Sequence, residues 1–279
     1  MRQPDDLRRL AEEFLAGLSF ATELGRLEEA LRYSLLGGGK RIRPVLCLAI
    51  GEALGHDPEE LLPAACSLEL VHTFSLVHDD LPALDDDDLR RGQPSAHVRF
   101  GEDVAILAGD ALLAEAFRLA LGYPSPLVAR ELAEATLGMI GGQYLDVTTD
   151  GDLDAAGLRR LHALKTGRLL CAAVTTATAV AGLPDEERAP WRSLGEEIGL
   201  LFQIVDDVLD ATGTAEELGK TPGKDEAAGK VTYVSLHGLE RARELADETR
   251  TRVGERLATL PGDTSVLTAI VDAVHGRRT

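Results

Sequence analysis

Apolar residues recur at helical spacing along nearly the whole chain. Asp5–Leu18 and Thr22–Leu36 read as amphipathic helices, the second stopped by Gly37-Gly38-Gly39. Arg43-Pro44 opens the next, with Pro44 tolerated in the first turn, and it runs to about Leu54 before Gly55. Asp57-Pro58-Glu59 starts another, Asp57 as N-cap and Pro58 at the first helical position. That helix, near Glu60–His78, is almost wholly apolar and is expected to be central and buried. Helices are also expected over Asp103–Leu121, Pro126–Leu145, Asp154–Gly182 (interrupted near Gly167), Asp185–Leu209, Val231–Leu260 and Ser265–His275. No alternating strand pattern lies between turn signals. Gly213–Gly229, rich in Gly and Lys, reads as a loop. The economical reading is one all-α domain spanning residues 1–279.

Composition agrees with helix over sheet: aromatics are only 4% of the 279 residues, and Ala and Leu abound. A net charge of −18 argues against a nucleic-acid partner, which needs a basic surface. Cys47, Cys66 and Cys171 are far apart and each lies in an apolar run, so they read as buried free thiols of a reducing compartment. The N-terminus carries no signal-peptide core, and no charge-free apolar stretch approaches the length of a membrane span. The expectation is a soluble cytoplasmic protein.

The apolar helix runs into LVHDDLPALDDDDLRRGQPSAH at 76–97, which holds Asp79, Asp80 and Asp85 to Asp88, then Arg90 and Arg91. Two carboxylates about 4 Å apart repel by roughly 4 kcal/mol at an effective dielectric of about 20, so such density is usually offset by cations. A solvated acidic loop would account for the run taken alone. Oxygen-only ligands suit hard ions, Mg²⁺ before Zn²⁺, and Mg²⁺ held by one or two carboxylates completes its shell with water and phosphates. A guanidinium fork matches phosphate oxygens, which fits the adjacent arginines. Asp79 and Asp85 are about 600° apart on an ideal helix, on opposite sides, so they converge only if the chain bends at Pro82.

A second acidic cluster, FQIVDDVLD at 202–210, lies in an apolar helical stretch. Asp206 and Asp210 fall about 40° apart on one face, Asp207 lies to the side, and Gln203 is one turn earlier. Carboxylates among Ile, Val and Leu are costly unless paired or metal-bound. Gly37 to Pro44 joins glycines, Lys40 and Arg43 to a following helix N-terminus, a combination that admits an anion closely. His72 lies two helical turns before Asp79 on the same face; a core histidine is the plain alternative. Lys165-Thr166 precedes Gly167, and Lys220, Lys224 and Lys230 punctuate the glycine-rich loop. Together these elements point to a ligand with more than one phosphate group, held with Mg²⁺.

With GGKRIRP at 38–44, LVHDDLPALDDDDLRRGQP at 76–94, KTG at 165–167, FQIVDDVLD at 202–210 and GKTPGKDEAAGKVTY at 219–233 in this order, the chain resembles the trans-isoprenyl diphosphate synthase (polyprenyl synthetase) family, most of all its bacterial farnesyl diphosphate synthase type. The resemblance implies the isoprenoid synthase fold, a bundle of mostly antiparallel helices around a central cavity, usually as a homodimer. It implies that Asp79, Asp85 and Asp206 ligate three Mg²⁺ ions, supported by Asp80 and Asp210. Arg90, Lys165, Lys220 and Lys230 would hold the allylic diphosphate; Lys40, Arg43, His72 and Arg91 would hold isopentenyl diphosphate. Thr166 and Gln203 would border the developing carbocation, beside Lys165 as a catalytic residue.

By the same resemblance, product length is read at Phe74 and Ser75, expected to point down the tail cavity. An aromatic at Phe74 with this long Asp motif goes with a C15 product, so farnesyl diphosphate is the main expectation and geranylgeranyl diphosphate its rival. A class I terpene cyclase would lack the GGKRIRP site, and a non-catalytic synthase subunit would tend to lose the ligands kept here. The sequence leaves the place of Arg277 and Arg278 open.

Overall fold

The computed structural model describes residues 1–149, 153–213 and 231–277. Its helices are α1 (Pro4–Ala16), α2 (Leu27–Leu36), α3 (Ile42–Ala53), α4 (Pro58–Asp79), α5 (Ala96–Phe100), α6 (Glu102–Ala120), α7 (Leu127–Thr148), α8 (Ala155–His162), α9 (Arg168–Val180), α10 (Asp185–Thr212), α11 (Tyr233–His237), α12 (Leu239–Leu257) and α13 (Ser265–His275). A short π-helical segment, Ala163–Gly167, joins α8 to α9. This is the all-α bundle expected. Among the described residues the sheet content is one two-residue ladder, Leu89–Arg90 (β1) against Gln93–Pro94 (β2), which the alternation pattern is too short to signal.

α4 is the axis of the bundle and packs against α3, α6 and α9. The Asp57 carboxylate caps it by accepting from the Glu59 N–H at 3.1 Å, and Pro58 begins it, as expected. By length and composition α4 could cross a membrane, yet 72% of its apolar window is buried inside the protein, which marks it as a core helix. Some boundaries differ from the sequence pattern. Thr22–Leu24 is a separate 3₁₀ turn before α2, because Gly25 at φ 50° breaks the run. The expected Val231–Leu260 helix is divided at Gly238, whose φ of 80° lies outside the helical region.

Two features of the fold place the site. The first is a buried ion pair: Arg41 and Glu69, with side chains each 2% exposed, meet at 2.7 Å, and Arg41 also donates to the Leu35 carbonyl at 2.7 Å. Arg41 takes the left-handed conformation (φ 50°) to make these contacts. The pair therefore joins the end of α2, the start of α3 and the middle of α4. The second is α7, which has two apolar faces. Leu132, Ala135, Met139 and Gly142 are buried, whereas Leu137, Ile140, Tyr144 and Val147 are exposed, as are Ile106 and Leu107 on neighbouring α6.

Removing one member of a buried ion pair strands the other charge, which typically costs about 3–5 kcal/mol. Glu69→Ala is therefore expected to lower unfolding stability by about that amount, measured by denaturant titration, while Glu69→Gln loses less.

Candidate active site

The end of α4 bends as the Pro82 position requires. The helix stops at Asp79, and the following loop folds back on it: the Asp85 N–H donates to the Asp79 carbonyl at 2.9 Å and the Asp87 N–H to the Asp80 carbonyl at 3.1 Å. The turn brings Asp85 into electrostatic reach of Asp79. Burial lifts the Asp79 pKa to about 6; Asp85 and Asp80 add to the rise, and Lys165 and Arg90 oppose it. Asp80, 2% exposed, is occupied by Arg90, whose Nε donates to its two oxygens at 3.0 and 3.2 Å. That fork aims Arg90 at the aspartates, with Asp87 3.6 Å away.

Lys165 and Thr166 lie in the π segment, the interruption expected near Gly167. π turns recur at functional sites because they re-aim side chains within a continuous helix. Two glycines admit it here. A Cβ at Gly142 of α7 would overlap the Lys165 backbone, and one at Gly199 of α10 would lie 2.8 Å from the Gly167 Cα. Lys165 Nζ reaches Asp146 on α7 at 2.6 Å.

A second group lies around His72. Gly38 and Gly39, at φ 88° and 125°, let the Arg91 guanidinium against the backbone: Arg91 donates to the Gly38 carbonyl, and a Cβ at Gly39 would lie 2.8 Å from it. Arg43 is enclosed, and its Nε has no hydrogen-bond partner among the described residues. Burial and Arg91 pull its pKa down, against Glu69 and Asp206. Burial, then the charges of Arg43, Arg91, Arg90 and Arg41, hold His72 well below its ordinary pKa. His72 is therefore neutral at pH 7 and can serve an anion as a hydrogen-bond donor. Lys40 is lowered by burial and by Arg277, with Asp206 opposing.

Asp206, on α10, is the carboxylate common to this second group, since it acts on both Lys40 and Arg43. It also forms an ion pair with Arg277 at 3.5 Å, and the Arg277 guanidinium lies over the Phe202 ring at 4.7 Å. The C-terminal arginine thus reaches the site, a contact the sequence left open; Arg278 lies outside the described residues. Gln203 gives its NH₂ to Asp207 at 2.8 Å, and Asp207 in turn accepts from the Tyr233 N–H at 2.7 Å. Asp210 is in the last turn of α10. Lys220 and Lys230 lie outside the described residues.

The structure therefore brings together Asp79, Asp80, Asp85, Arg90 and Lys165 in one group and Arg43, His72 and Arg91 in another, with Asp206 acting on Arg43 and on Lys40. Among the described residues no three His, Cys, Asp or Glu form a ready metal cage. The oxygen-only donors, and the burial and neighbouring carboxylates that lift Asp79, nevertheless suit a hard cation that brings its own phosphate ligands. Sequence reasoning missed Arg41, Glu69 and Asp146. Phe74 is 8% exposed with its ring edge-on to His78 at 4.9 Å, and His78 Nε2 lies 3.0 Å from the Ile106 carbonyl oxygen on α6. Ser75 Oγ donates back to the His72 carbonyl at 2.9 Å. All three cysteines are buried free thiols.

Residues 25–273 match the polyprenyl synthetase family model, and the chain belongs to that family. It is a prenyltransferase of the trans-prenyl diphosphate synthase kind. Geranylgeranyl pyrophosphate synthase 11, chloroplastic, of Arabidopsis thaliana is 47% identical over 272 residues, 91% of this chain and 76% of that protein. The large subunit 1 of the heterodimeric, chloroplastic geranylgeranyl pyrophosphate synthase of the same plant is 47% identical over 85% of this chain and 68% of its own length. A crystal structure of geranylgeranyl pyrophosphate synthase superposes with a TM-score of 0.92 at 27% identity over 100% of both chains. The Helicobacter pylori geranyltransferase, complexed with magnesium and isoprenyl diphosphate, gives 0.84 at 34% identity over 97% of this chain and 94% of that one. The comparisons correct the cytoplasmic expectation: these plant relatives are chloroplastic, and an N-terminus without a signal-peptide core does not exclude a plastid.

The Asp79 carboxyl makes the metal-free protein pH-sensitive. Its native pKa of about 6 exceeds the 3.8 of an unperturbed Asp, so the native state holds the proton more tightly than the unfolded chain. The associated stability is full below about pH 4 and is lost as pH rises through 6. In chelator, Asp79→Asn is expected to melt above the wild type at pH 7.5, with the gap closing towards pH 4, as followed by circular dichroism.

Proposed function

We propose that the protein condenses isopentenyl diphosphate with allylic diphosphates, head to tail, to geranylgeranyl diphosphate. The observation that carries the reading is the pair of charged groups just described, one acidic with Arg90 and Lys165, the other basic around neutral His72. They offer two different diphosphates two neighbouring seats. A C20 product is favoured over the C15 product expected from the motifs, because the plant relatives above are geranylgeranyl diphosphate synthases.

In this reading Asp79, Asp85 and Asp206 hold Mg²⁺, three ions by resemblance, which neutralises the leaving diphosphate when bound. Arg90 and Lys165, with Lys220 and Lys230 of the GKTPGKDEAAGKVTY motif, take the allylic diphosphate. Its C1–O bond breaks with the electron pair leaving on diphosphate. Lys40, Arg43, Arg91 and the His72 imidazole fix isopentenyl diphosphate so that its double bond attacks the allylic cation, and the new cation then gives a proton to the released diphosphate, its C–H electrons forming the product double bond. Thr166 and the Gln203 carbonyl, its NH₂ held by Asp207, border the cation. Residues 1–279 act as one catalytic domain. The apolar residues exposed on α6 and α7 support a homodimer through that face.

One observation favours the C15 reading: Phe74 is a bulky ring fixed by His78 one turn before the metal aspartates. Incubation with radiolabelled isopentenyl diphosphate, Mg²⁺ and dimethylallyl, geranyl or farnesyl diphosphate separates the two. C20 product with farnesyl diphosphate accepted is expected. C15 product with farnesyl diphosphate refused, lengthened by Phe74→Ala, would establish the second reading. No elongation by a folded, Mg²⁺-binding protein would overturn both.

A further inference from the structure

We infer that Asp146 is a positioning residue that holds Lys165 off Asp79, leaving the lysine for a diphosphate and the aspartate for a metal ion. The inference deepens the proposed function and rests on the roles given there to Lys165 and Asp79.

Among the described residues, Asp79 and Asp146 both interact with Lys165. On Asp79, at the end of α4, the lysine exerts the largest opposing charge. Asp146 belongs to α7. The lysine makes its ion pair with Asp146, at 2.6 Å, and among the described residues it makes none with Asp79. Both members are largely sheltered: the Lys165 side chain is 26% exposed and that of Asp146 13%. An ammonium on a flexible four-carbon stem would otherwise swing to the nearest anion.

The backbone leaves only that side-chain choice. Gly142 abuts the Lys165 backbone from α7, and Gly199 abuts Gly167 from α10, so the π segment is gripped on both sides. Asp146 follows Gly142 by one helical turn on the same face. The helix that fixes the lysine main chain thus also supplies the anion that fixes its ammonium. Without Asp146, Asp79 is the carboxylate among the described residues on which Lys165 is seen to act, and a lysine paired there occupies the carboxylate that a divalent cation needs. Asp146 acts through Lys165 and touches no reacting atom.

The test is calorimetric binding of inorganic diphosphate at a series of Mg²⁺ concentrations, on the wild type, Asp146→Asn, Lys165→Ala and the double variant. Asp146→Asn is expected to raise the Mg²⁺ needed for half-maximal binding about tenfold, within the coupling measured for contacting charged pairs. Lys165→Ala weakens diphosphate binding, and adding Asp146→Asn to it changes the Mg²⁺ requirement less than twofold. Asp146→Ser carries the same expectation should the Asn variant fold poorly. An unchanged requirement in Asp146→Asn overturns the inference. So does a tenfold rise that persists in the Lys165→Ala background, which would make Asp146 a metal ligand itself. If instead Lys165→Ala binds diphosphate like the wild type, the role given to that lysine falls, which is a separate result.

Discussion

A carboxylate at the end of the central helix of the bundle is the constraint that the rest of the site answers. Asp79 ends α4, and its burial raises its pKa to about 6. A charge in that position needs company. The backbone return at Pro82 brings Asp85, which makes the problem worse, and Arg90, which eases it. Arg90 is itself anchored by Asp80, so the two neighbouring aspartates have different surroundings: Asp80 is tied to an arginine, and Asp79 is the one the proposed function gives to a cation. The crowding is thus a sequence of local decisions about which anion pairs with which cation, all made within a few residues of a helix end.

The basic side shows the same logic with signs reversed. His72 is buried, with four arginine charges acting on it, and burial first and those charges second favour its neutral form. Arg41 is removed from the competition by Glu69, in a pair so sheltered that it belongs to the core more than to the site. What remains is a set of cations held close by the fold and only partly compensated, which is how a protein stores affinity for a polyanion.

Much of this was legible along the chain because it is local. Helical periodicity located the bundle, a proline between two aspartates called for the bend, and a histidine two turns before Asp79 had to face the same way. What was not legible depends on contacts between distant segments. Arg41 stands between two residues read as ligands, and only the structure turns it inward to Glu69. Asp146 lies in a helix with no marked pattern and acquires meaning from Lys165, 19 residues away. Gly167 signalled an interruption, but the π segment needs Gly142 and Gly199 opposite it. Phe74 and Asp79 are about 140° apart on α4, so counting residues back from the motif did not foresee the ring's seat against His78.

The arginine-lined interior is set within a chain of net charge −18. Within about a Debye length of the surface, roughly 8 Å at physiological salt, an approaching anion meets a like-charged body rather than a steering field. In the proposed reading attraction begins at the site itself, where Arg43, Arg91, Arg90 and Arg41 all act on His72. Added electrolyte then has opposite effects on the two stages: it screens the repulsion that hinders approach and weakens the contacts that hold the captured anion. The rate of encounter and the strength of retention are separable in this molecule, because charges of opposite sign and different depth govern them.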